Sequence, residues 1–114
     1  MTKIEIIKKQ NRTTGFVVSG HSGYSEEGSD IVCSAVSSLS QMVCVGLENV
    51  LNLKPSIKMK DGYLECFINQ FDDEELNKKV QLLFDSFEKS VELMLLGDKK
   101  LKKYISLEVK NEIY

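Results

Sequence analysis

The sequence contains no tryptophan, a single proline, a single histidine and three cysteines among 114 residues. Each scarcity removes a class of explanation. Three thiols, Cys33, Cys44 and Cys66, are an odd number with no CxxC spacing, which argues against a disulfide framework and against a dithiol redox pair. One imidazole and scattered cysteines do not make a zinc ligand set, so no metal is implied, and no cofactor is expected. Fifteen basic and seventeen acidic side chains leave a net charge of −2, too small a field to draw the chain onto nucleic acid or anionic lipid. The cluster Lys99, Lys100, Lys102 and Lys103 reads as a solvated connection. The opening residues MTKIEIIKK alternate and lack the long apolar core of a signal peptide, so a cytosolic location is expected. The uncharged run from Ile31 to Leu47 is short for a bilayer and carries serines and a glutamine; it reads as a buried helix, with no membrane span.

What is present fits one domain over residues 1–114, with 42% apolar and 28% charged residues. Ile4 and Ile6 alternate with polar neighbours, a polar turn occupies Gln10 to Thr13, and Phe16 to Val18 supply a second strand, so a hairpin opens the chain. Residues 21–29, HSGYSEEGS, have no aliphatic side chain and are expected to form a mobile loop. Asp30, or alternatively Ser29, would cap a helix running from Ile31 to about Leu51. That helix is apolar almost all round, more than so small a subunit can cover, and a homodimer interface through it is expected. Ile57 and Met59, then Asp61-Gly62, then Leu64, Cys66 and Ile68 spell a hairpin with a type I′ turn. Asp72 to Glu75 load the start of a second helix with acid; Leu76, Val80, Leu83, Phe84, Phe87, Val91, Met94 and Leu95 hold its period, and Gly97 closes it. Ile105, Leu107 and Val109 form a last strand. The order is ββαββαβ, an α+β domain with a mostly antiparallel sheet.

Within this frame Cys33 falls in the first turn of the central helix, where unpaired N–H groups and the helix dipole favour a thiolate and could hold an oxyanion. A cysteine in a helix is equally a serviceable small hydrophobe. A cysteine nucleophile at neutral pH wants an imidazole partner, and His21 is the one imidazole in the chain; the Gly/Ser-rich loop between them could fold back to bring the two together. On spacing alone His21 reads as well as a surface residue at a strand end. Asp30 would orient the imidazole or simply cap the helix, and Ser37, one turn beyond Cys33, would support the site or ease helix packing. Cys44 and Cys66 read as core.

The stretch GHSGYSEEGSDIVCSAVS, Gly20 to Ser37, resembles the signature of the ribosomal-processing cysteine proteases, the Prp family. Its parts are a Gly-His pair ending a strand (Gly20-His21), a glycine-containing loop, and a Gly-x-Asp-Ile-Val-Cys run opening the central helix (Gly28 to Cys33). Ser34 departs from the alanine common after the cysteine, a small-for-small change. The resemblance implies a cytosolic, homodimeric endopeptidase that removes the N-terminal extension of large-subunit ribosomal protein twenty-seven by cutting after an aromatic pair. It implies His21 and Cys33 as the catalytic pair and importance for Gly20, Asp30 and Ser37. A non-catalytic module that docks on a ribosomal protein or assembly intermediate is the alternative, and a peroxide-reducing thiol enzyme a third reading that lacks a resolving cysteine within the subunit.

Overall fold

The structure, a computed structural model, describes residues 1–20 and 29–112. Strand β1, Thr2–Lys9, pairs antiparallel with β2, Arg12–Ser19, across a two-residue turn at Gln10 and Asn11. Helix α1, Ser29–Val45, follows and widens into a π-helical turn at Gly46–Val50. Strands β3, Ser56–Lys60, and β4, Tyr63–Phe67, form the second hairpin; then come α2, Glu74–Gly97, a 3₁₀ turn at Lys99–Lys103, and β5, Ile105–Glu112. The five strands lie in the order β3-β4-β2-β1-β5, antiparallel except for the β1–β5 pair. This is the expected ββαββαβ domain.

Strand alternation sends Thr2, Ile4 and Ile6 of β1, Phe16 of β2, Leu64 and Cys66 of β4 and Ile105 of β5 to one face. Val36, Val43 and Leu47 from the first helical segment and Val80, Phe84, Phe87 and Val91 from α2 complete the core against them. Phe16 is its centre, with Phe87 at 4.8 Å between ring centroids and Phe84 edge-on at 6.2 Å. The segment Ile31–Val50 is long and apolar enough to cross a membrane, yet Val36, Val43 and Leu47 are fully buried against the rest of the chain, as in a core helix. Buried Ser40 is satisfied within α1, donating to the carbonyls of Val36 and Ser37 at 2.9 Å each.

Three local expectations need correction. Asp61-Gly62 does join β3 to β4, but of the two only Gly62 has a positive φ (+73°), whereas a type I′ turn needs both. The positive pair lies instead at Gln10 (φ 53°) and Asn11 (φ 65°), which makes the first hairpin tighter, and β2 longer, than the polar Gln10–Thr13 stretch suggests. Helix α1 begins at Ser29, so Asp30 lies inside its opening turn rather than before it. Helix α2 ends at Gly97 as expected; Asp98, extended at φ −146°, follows, and its carboxylate accepts from the Lys100 N–H of the next turn.

Candidate functional site

The start of β1, the end of β2 and the start of α1 meet at one end of the sheet. Thr2 is drawn in by parallel pairing: its N–H donates to the Tyr104 carbonyl at 2.7 Å, and its side chain faces the core at 3% exposure. There its hydroxyl lies 2.9 Å from Cys33 Sγ. Gly20 ends β2 against the same dipeptide. Its φ is +93°, and a Cβ there would collide with the Met1 carbonyl oxygen and stand 3.8 Å from Thr2 Cα, so glycine is demanded by both backbone and space. The Gly20 N–H also donates to the Gly62 carbonyl at 2.9 Å, tying this corner to the β3–β4 turn. Gly20, immediately before His21, and Cys33 therefore converge on Met1-Thr2.

Cys33 is partly exposed and stands one turn in from Ser29, two residues deeper in the helix than the sequence suggested. Because helical Cα–Cβ bonds lean toward the N-terminus, its sulfur is directed back toward the opening turn. The backbone N–H groups of Ser29, Asp30 and Ile31 in that turn have no intrahelical acceptor, while the Cys33 N–H is committed to the helix. Ser37 follows on the next turn, and its hydroxyl accepts from the Gln41 side chain at 3.0 Å. His21 and most of the 21–29 loop lie outside the described residues, as does the Asp30 side chain.

The other two thiols belong to the core, Cys44 at 6% and Cys66 at 0% exposure. Interaction with the Cys44 sulfur, together with burial, pushes the Cys66 thiol well above its ordinary range. That the two are neighbours was not legible in the sequence, since one lies on a helix and the other on a strand whose crossing only the fold defines. Thr2 was missed too. Its signal was slight: a polar residue at the first inward position of a strand whose next inward positions are Ile4 and Ile6. Among the described residues no group of three or more His, Cys, Asp and Glu side chains could hold a metal ion.

A partly exposed thiol at the N-terminal end of a core helix, with a hydroxyl on its sulfur, is an arrangement that nucleophilic thiol chemistry can use. The model of the cysteine protease Prp family matches residues 1–106, and the chain belongs to that family. Among solved structures it is similar to SMU.848 from Streptococcus mutans, at 26% identity and a TM-score of 0.81, covering 98% of this chain and 96% of that one. The ribosomal processing protease Prp from S. aureus in complex with a substrate peptide shares the fold at 20% identity, with a TM-score of 0.78 over 96% of this chain and 100% of that one. The same S. aureus protease with a covalently linked product peptide superposes with a TM-score of 0.72, at the same identity and coverage. No curated protein matches the chain.

Proposed function

We propose that this chain is a cytosolic cysteine endopeptidase of ribosome maturation that removes the N-terminal extension of large-subunit ribosomal protein twenty-seven. Cys33 is the nucleophile and His21 the general base. The observation that carries this reading is the convergence on Met1-Thr2: Cys33 touches Thr2, and Gly20, which delivers the chain to His21, is packed on Met1. The loop that carries His21 follows directly on Gly20 in the sequence.

His21 takes the Cys33 proton, and the thiolate attacks the carbonyl following an aromatic pair. The N–H groups of Ser29, Asp30 and Ile31 are the donors available to the oxyanion. His21 then protonates the leaving amine, and water releases the acyl group from the sulfur. Asp30 and Ser37 support the site. Two copies pair through α1, whose outward residues Ile31, Met42 and Val45 are exposed apolar side chains, as is Val50 in the π turn that extends it.

Incubating the purified chain with a peptide spanning the ribosomal-protein extension tests the reading. Two defined fragments are expected, with the rate falling at least about a thousandfold in Cys33→Ala and in His21→Ala. Binding without cleavage would instead make the chain a docking module.

A further inference from the structure

Thr2 faces inward in company with Ile4 and Ile6, where an aliphatic side chain would serve packing alone. A buried hydroxyl must find a partner, and the partner here is Cys33 Sγ at 2.9 Å. The hydroxyl is held from both sides of its residue. The backbone of Thr2 is fixed by the bond from its N–H to the Tyr104 carbonyl and by the parallel register Thr2↔Ile105. Its β-branched side chain has few rotamers to choose from.

We propose that Thr2 is a positioning residue for the reaction: its hydroxyl donates a hydrogen bond to the Cys33 thiolate and fixes the direction from which the sulfur meets the peptide carbonyl. While the sulfur is still protonated the hydroxyl can rotate and accept from it, so the contact survives both states. On ionisation the hydroxyl hydrogen turns to the sulfur, and the bond becomes charge-assisted and therefore stronger. The inference rests on Cys33 being the nucleophile but not on which peptide it cuts.

Thr2→Val keeps the shape and removes the hydroxyl; Thr2→Ser keeps the hydroxyl. Two readouts apply to each: kcat/KM on the cleaved peptide, and the pH dependence of Cys33 alkylation by iodoacetamide, followed by peptide mass mapping. Thr2→Val should lower kcat/KM about tenfold and move the rise in alkylation about one unit to higher pH, with Thr2→Ser restoring both to within about threefold of the parent. An unchanged alkylation profile in Thr2→Val, or equal losses in both variants, would overturn the proposal. Should Thr2→Val not fold, Thr2→Ala compared with Thr2→Ser decides by the same readouts. If the parent chain cut no ribosomal-protein peptide while its alkylation profile still depended on the Thr2 hydroxyl, the substrate assignment would fall and the positioning role would stand.

Discussion

Gly20 shows most directly how one residue can hold a site together. Its +93° φ, and the Met1 oxygen lying where a Cβ would need to be, leave no room for alanine. Gly20→Ala should therefore cost about 1–3 kcal/mol in stability, read by denaturant unfolding, and lower kcat/KM more than that loss of folded protein explains. The three thiols make a second comparison at this scale. Cys33 is partly exposed beside a hydroxyl, whereas Cys44 and Cys66 are buried against each other, with the Cys66 thiol held far from ionising. Native alkylation should label Cys33 first, and the other two should react only as the chain unfolds, which mass mapping over time would resolve. Cys33 was legible because its sequence neighbours set its place on a helix. Thr2 was not, because its contact spans 31 positions and depends on where β5 draws β1.

At the scale of elements, side-chain amides and carboxylates fix how α2 sits. Asp73 caps it, accepting from the Glu75 and Leu76 N–H groups at 3.0 and 3.3 Å. Asn77 grips Phe71 through both its N–H and its carbonyl, and Gln81 does the same for Thr13 on β2. Asp73→Ala should cost about 1 kcal/mol by thermal or denaturant unfolding without changing the alkylation of Cys33, since the cap is remote from α1. On the outer sheet face Glu5 bonds Lys110 at 2.8 Å and Lys3 at 3.3 Å, which holds its carboxyl below the ordinary 4.5. The lowered value means these pairs stabilise the fold above that pH, and their contribution disappears as acid protonates Glu5. Solvent screening on this face keeps the contribution small. The uncharged run of α1, the helical period of α2 and the apolar residues of the strands could be read from local pattern, and all five strands are found, β2 longer than expected. Turn geometry was less legible. Asp-Gly favours a type I′ turn without compelling it, while Gln10-Asn11 adopts left-handed values because the strands on either side close there. Where α1 begins was also beyond local pattern, because its opening residues, Ser29 and Asp30, are polar.

For the whole molecule, the balance of covered and uncovered apolar surface decides association. The sheet buries one side of α1 and leaves Ile31, Met42 and Val45 outward, a stripe at helical spacing that a second copy would cover in the proposed dimer. Val45→Lys should shift sedimentation toward the monomer while leaving the far-ultraviolet spectrum unchanged; a variant that sediments as the parent would show that α1 is not the contact.

The central claim, that Cys33 attacks with His21 as its base, is tested most directly by intact-mass measurement after brief exposure to a chloromethyl ketone of a peptide ending in an aromatic pair. One adduct is expected, mapped to Cys33 and formed at neutral pH at least about a hundredfold more slowly in His21→Ala. An adduct on Cys44 or Cys66, or equal labelling without the imidazole, would contradict the account.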